Sequence, residues 1–199
     1  MLLDGDVSRA LQRERFVRLF ERILMRFDTA ERLRAVPDTV GRRFKIEPWA
    51  DYYQDDAAAL IAAAYEGHID SRINDQYQSL TGARRFLNNI VQFPGCGSFF
   101  RPASFVAFDR QTRWLTGLLL ASFISPSVGH ITQICVAPDA RGSGLGYALL
   151  DQAISVMRQN GACRVSLTVT AANTHAVNLY RRCGFEEVRR FFAHVWEGY

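Results

Sequence analysis

The sequence has a single lysine, Lys45, although Lys and Arg together number 24 among its 199 residues. Its basic character is therefore that of arginine, which forks onto carboxylates and phosphates and keeps its charge at any physiological pH. Against 20 Asp and Glu the formal net charge is only +4, and the arginines are spread along the chain. This excludes the concentrated basic face of a nucleic-acid-binding module, while a modest positive excess suits an anionic small ligand. No apolar run approaches the about 18 residues of a transmembrane helix. At the start, "MLLDGDVSRALQRERF" has acids and arginines where a secretory signal keeps its apolar stretch, and Asp4, Asp6, Glu14 and Glu21 oppose an organelle transit peptide. The expectation is a cytoplasmic protein with no membrane partner.

Cysteine is also scarce. Cys96, Cys135, Cys163 and Cys183 lie far apart, with no CxxC or HxxxH spacing between them, so neither a disulfide framework nor a metal site is expected. Three of them fall in apolar runs, where a reduced cysteine serves as a small core residue. Cys96, in the turn-rich "FPGCGSFF", reads as an exposed loop residue.

What is present is ordered by periodicity. Phe16, Leu19, Phe20, Ile23, Leu24 and Phe27 recur at helical spacing with arginines between them, which predicts an amphipathic helix. Thr29 to Val36 reads as a second short helix, stopped by Pro37. Residues 1–41 are thus expected to form a helical extension before one domain over residues 42–199. In that domain "RRFKIEPW" alternates like a strand, and residues 51–66, 68–79 and 81–92 read as helices, the last capped by Thr81. Three strand-like runs follow, "ASFVAFD", "WLTGLLLASFIS" and "GHITQICVA". The pattern then becomes helix (residues 142–159), strand (164–170), helix (174–183) and a closing strand, "FFAHVWEG". A meander followed by β-α-β-α-β specifies an α/β fold, a mixed sheet with helices on its faces.

The turn "DARGSGLG" lies between a strand and a helix. The first N–H groups of a helix have no internal partner and carry the positive end of its dipole, so glycines at that place make an anion cradle of main-chain donors. Gly142 and Gly144 begin a dinucleotide fingerprint, but Tyr147 stands at its third glycine, and Ser166 to Ala172 supply no acid for a ribose. No lysine completes a Walker A loop. Nicotinamide redox chemistry and nucleotide hydrolysis both lose their main support.

The stretch "ITQICVAPDARGSGLGYALLDQAI" resembles motif A of the GNAT superfamily of acyl-CoA N-acyltransferases, with Arg141, Gly144 and Gly146 at its marked positions. Downstream, "TVTAANTHAVNLYRRCGFEEV" resembles motif B through Asn173, Tyr180, Gly184 and Phe185. The resemblance covers Arg43 to Tyr199 and implies the GNAT fold with acetyl-CoA as co-substrate. It assigns the pyrophosphate to the turn formed by Arg141, Gly142, Ser143, Gly144, Leu145 and Gly146, bordered by Tyr147. The pantetheine arm falls to the main chain of Ile134, Cys135 and Val136, with Asn173 beside it. Tyr180 takes the place of the general acid that protonates the leaving thiolate.

The base is less defined. Gln133 cannot accept a proton, so His130 is the candidate on the motif A strand. Glu66, His68 and Asp70 are candidates in the helical section where the family builds its acceptor pocket. Tyr65, Tyr77, Phe93, Phe99 and Phe100 are available to line that pocket. The implied activity is acetyl transfer to a primary amine of a small molecule or peptide by direct attack in a ternary complex. An idle acyl-CoA-sensing module is the alternative, and homodimer formation stays open.

Overall fold

The computed structural model describes residues 17–196 apart from residues 34, 94 and 96. Among them the strands are β1 (Val17–Asp28), β2 (Phe44–Pro48), β3 (Ser98–Phe99), β4 (Phe105–Asp109), β5 (Leu115–Ser125), β6 (Val128–Val136), β7 (Arg164–Thr170) and β8 (Glu186–Trp196). The helices are α1 (Asp38–Arg43), α2 (Gln54–Ala64), α3 (Leu80–Gln92), α4 (Leu145–Gln159) and α5 (Thr174–Arg182). One sheet runs in the order β2-β4-β5-β6-β7-β1-β8, with β3 also paired to β5. Every pairing is antiparallel except β6 with β7. This is the mixed α/β fold expected. None of the described helices is long and apolar enough to cross a membrane.

Alternation along the strands divides the core between the two faces. Leu119 packs in the cluster with Leu149, Ile154 and Met157 of α4. Its neighbours Leu118 and Leu120 pack in the cluster with Ile61 of α2 and Leu87 of α3.

The amphipathic helix expected over residues 16–27 is not formed. Val17–Asp28 is β1, set between β7 and β8, and a division at residue 41 does not separate two units, because β1 lies inside the sheet built by the rest of the chain. Ile23, Met25 and Phe27 are almost wholly buried on one face, a period of two that the helical spacing of Leu19, Phe20, Ile23 and Leu24 overlies. Covering β7 on its open side settles the competition, since an extended segment there satisfies the backbone of both neighbours. Phe16 and the residues before it lie outside the described part.

The helix expected over residues 29–36 is likewise absent among the described residues: Thr29 Oγ1 donates to Ala162 O at 2.7 Å, and Pro37 stands at the N-cap of α1 instead of ending a helix. Residues 68–79 form two 3₁₀ turns, Ile69–Arg72 and Asp75–Gln78. The side chains of His68 and Asn74 accept the N–H groups of Asp70 and Gln76 and so restart the chain twice. Ser79, rather than Thr81, caps α3 by accepting from Gly82 N–H at 3.0 Å. Cys135 and Cys183 are buried as expected, but Cys163 is exposed in the turn before β7, and Cys96 lies outside the described residues.

Two features of β6 position the site. A bulge leaves Thr132 unopposed, because Gln133 pairs with Leu120 while Ile131 pairs with Ala121. The extra residue reverses which side chains face which layer. Ile131 accordingly packs with the α4 cluster, and Cys135 packs with the α2 and α3 cluster. Pairing of β6 with β7 also ends at Ile131 and Leu167, although the strands continue to Val136 and Thr170.

Candidate active site

Where β6 and β7 part, they leave a cleft of about 240 Å³. Thr132, Gln133 and Ile134 line it from β6, and Leu167, Thr168 and Val169 line it from β7. Asn173 and Tyr180 close it on the α5 side, while Tyr65, Asp70 and Tyr77 face them from the segment between α2 and α3. Arg22 of β1 completes it. A larger apolar groove of about 430 Å³ between α1, β2 and α4 does not include Tyr180 or Asp70; both line the smaller cleft.

The glycine turn leads from β6 into α4. Gly142 and Gly144 adopt φ of 73° and 87°, in the left-handed region that glycine enters without penalty. Gly144 precedes the first helical residue and brings no side-chain cap; the Leu145 N–H reaches Ser143 Oγ at 3.4 Å, so the place for an external acceptor is at the N–H groups that follow it. A Cβ on Gly146 would meet Leu179 Cδ2 at 3.4 Å and Val136 Cγ2 at 3.8 Å, so the space between α4, α5 and the end of β6 is narrow. Ser143 Oγ donates to Ala140 O at 2.6 Å and holds the turn closed. Arg141 donates to Ala64 O at 2.8 Å, tying the turn to the last carbonyls of α2. Leu145 is a core residue whose contribution to the turn is main-chain, and Tyr147 packs half-buried against the same core.

Tyr180 is 6% exposed. Burial pushes its phenol well above the ordinary tyrosine value, and the nearby Asp70 carboxylate adds to this while Arg22 opposes it. The hydroxyl therefore stays protonated at neutral pH. Asn173 accepts from Ala176 N–H at 3.2 Å and so caps α5 while lining the cleft.

Of the proposed bases, Asp70 is the only carboxylate among the described lining residues. Thr170 Oγ1 donates to its Oδ1, and Arg22 Nη1 lies 3.8 Å from the same oxygen. His68 stands behind it: Nδ1 accepts the Asp70 N–H at 3.1 Å. The same Nδ1 lies 3.7 Å from Asp70 Oδ2. Glu66 is exposed and does not line the cleft. His130 is not at the cleft either. It lies where β6 and β7 are still paired, its Nδ1 2.9 Å from Ser166 Oγ, and burial lowers its pKa. The side chain alternates away from the parted end, and its partner is structural.

Gln133 acts as a brace. Its Nε2 donates to Tyr65 Oη at 3.0 Å, and its Oε1 accepts from Tyr77 Oη at 3.3 Å, clamping two rings stacked at 4.3 Å. Burial raises the pKa of both phenols. Phe93 and Phe99 do not line the cleft, and Phe100 packs against Phe123 instead. Ile134 lines the cleft, whereas the Cys135 thiol turns into the α2 and α3 layer, where burial pushes it up to about 12. The sequence reading missed Arg22, Thr168 and Thr170. For Arg22 the available signal was a charged residue next to Ile23 in the Ile23, Met25, Phe27 alternation.

A sheet parted between parallel strands, with a glycine turn after the first of them, is the arrangement that the resemblance to acyl-CoA N-acyltransferases implies. The chain belongs to the Acetyltransferase (GNAT) family, whose model matches residues 74–185. It is 37% identical over 138 residues to an uncharacterized N-acetyltransferase of Methanocaldococcus jannaschii, covering 67% of this chain and 56% of that protein. It is 44% identical over 62 residues to the mycothiol acetyltransferase of Kocuria rhizophila, covering 31% of this chain and 20% of that protein. The chain thus spans less than two thirds of these relatives. Among solved structures, a GCN5-related N-acetyltransferase from Sphaerobacter thermophilus shares the fold with a TM-score of 0.69 at 17% identity, covering 98% of this chain and 57% of the other.

Proposed function

We propose that the protein is an acetyl-CoA-dependent N-acetyltransferase that acetylates a primary amine by direct attack in a ternary complex. The observation that carries this reading is the parting of β6 and β7 beyond Ile131, with Tyr180 and Asp70 lining the cleft and the Gly142 to Gly146 turn following the free end of β6. Acetyl-CoA supplies an acyl thioester, which an amine can attack. The main-chain donors of Arg141 to Gly146 would hold its pyrophosphate. The unpaired edge of β6 at Ile134, Cys135 and Val136 would take its pantetheine as an added strand.

Asp70 Oδ2 accepts an N–H of the incoming amine and directs its lone pair inward. Tyr180 Oη gives its proton to the departing sulfur as the C–S bond breaks, the phenol being held protonated beforehand by burial. On forming the C–N bond the amine nitrogen releases one proton to water, and the Tyr180 phenolate regains a proton from water. Gln133 holds the tyrosine wall against which the acceptor sits.

Calorimetric titration with acetyl-CoA, followed by a free-thiol assay across amines and peptides, tests this directly. Amine-dependent thiol release is expected. Tyr180→Phe should lower kcat about 100-fold or more while changing the acetyl-CoA Kd less than about twofold. Undiminished turnover would remove Tyr180 from the reaction, and binding without release on any acceptor would favour a sensing module.

A further inference from the structure

Arg22 brings to the cleft a charge that acetyl transfer does not itself require. The side chain is 22% exposed and reaches the cleft from β1. Its carboxylate neighbour is Asp70, but the 3.8 Å from Nη1 to Oδ1 exceeds a hydrogen bond, and Oδ1 already accepts from Thr170. Arg22 Nε is buried with no hydrogen-bond partner. A guanidinium carries five N–H donors in a fixed fork, and leaving a buried charged donor without an acceptor is costly. The pair is therefore an ion pair without a direct hydrogen bond: Oδ1 of the carboxylate has its donor, and Nε of the guanidinium lacks an acceptor. Gln133 is engaged with the two tyrosines and Asn173 with the start of α5.

We infer that Arg22 receives a carboxylate of the acceptor and that the acceptor is an α-amino acid, its amine on Asp70; this rests on the N-acetyltransferase reading. The short separation of guanidinium and carboxylate in the cleft matches an amine and a carboxylate carried on one carbon. A phosphate in place of the carboxylate would bring a second negative charge toward Asp70, so a monoanion is preferred.

The test is equilibrium binding to the full chain with CoA present, which allows no turnover. L-alanine is compared with ethylamine, L-leucine with isoamylamine and L-phenylalanine with phenethylamine, with phosphoethanolamine as the dianionic probe. At least one amino acid should bind about 10- to 100-fold tighter than its matched amine, the effect of one charge-assisted bidentate contact. Arg22→Gln should reduce that ratio to below about three, and Arg22→Lys, which keeps the charge and loses the fork, should give an intermediate ratio even if the first variant fails to fold. Equal binding within all three pairs, a ratio preserved in both variants, or preference for phosphoethanolamine would overturn the inference. Thiol release from acetyl-CoA with the same compounds separates the two claims. A carboxylate preference in binding without thiol release would sink the transferase reading alone, while release that ignores the carboxylate would sink the Arg22 assignment alone.

Discussion

Replacing Gly144 and Gly146 with alanine, one at a time, separates the backbone geometry of the turn from its role as an anion cradle. At Gly144, φ is 87° and ψ is −2°, where an L-residue costs about 1–2 kcal/mol. The new Cβ would meet only a side-chain atom, Val40 Cγ2 at 3.2 Å, which adds little if the valine gives way. At about 2–4 °C per kcal/mol for a chain of this size, Gly144→Ala should lower Tm by about 2–8 °C. Gly146 is different, for it sits in the first turn of α4, outside the positive-φ set, and its Cβ would make ordinary contacts. Alanine is the better helix former by up to about 1 kcal/mol, so Gly146→Ala should hold Tm or raise it by up to about 4 °C. Its methyl nevertheless fills the narrow space between Val136 and Leu179 through which the anion must approach the N–H groups. Thermal melts paired with calorimetric titration of CoA read both quantities. Gly146→Ala should weaken CoA at least about tenfold without destabilising the protein, the loss expected for one charge-assisted contact. If Gly146→Ala binds CoA like the parent, the turn is not the cradle. If Gly144→Ala melts like the parent, the strain argument is wrong.

Phe27→Ala should cost about 3–5 kcal/mol in urea denaturation, because the ring is 1% exposed and lies 5.5 Å from Phe185; a cost below about 1 kcal/mol would mean that β1 is a detachable extension. In a Cys96→Ser background a thiol reagent should modify Cys163 quickly, while Cys135 and Cys183, which burial pushes up to about 12, stay unreactive until the protein unfolds; rapid loss of three thiols would contradict the packing. Burial holds the His130 pKa below its ordinary 6.5, so the unfolded chain binds the proton first as pH falls, and stability present above about 6.5 is lost on acidification. The loss should not exceed about 1.4 kcal/mol per pH unit for this group, and His130→Asn should flatten the slope between pH 7.5 and 5.5; an unchanged slope would mean that other groups carry it.

The parts of the fold that sequence reasoning recovered are those in which local chemistry and tertiary demand agree. The glycines of the motif turn and the alternating run of β6 each have a short-range signal, and each is found where expected. β1 is the opposite case. Val17–Asp28 satisfies a helical and a strand pattern together, and the difference lies in the open edge of β7, more than a hundred residues further along the chain. Only the Ile23, Met25, Phe27 alternation, with Arg22 and Arg26 off that face, favours the strand from within the segment. Once β1 was taken for an outlying helix, Arg22 could not enter the site, although it proves to be the cleft's arginine.

The misplacement of His130 has a related cause, since its side-chain direction depends on which residues of β6 remain paired. Up to Ile131 the strand is zipped to β7, so His130 meets Ser166; one residue later the bulge at Thr132 shifts the alternation and the strands separate. A bulge is a property of the β5 and β6 register, and no residue type in "GHITQICV" announces it. The same shift turns Gln133 toward Tyr65 and Tyr77, where a glutamate would have placed a buried charge between two phenols that burial already holds protonated. A neutral amide satisfies both hydroxyls at once, donating to one and accepting from the other. Asp70, held by Thr170 and approached by Arg22, is the carboxylate that lines the cleft among the described residues.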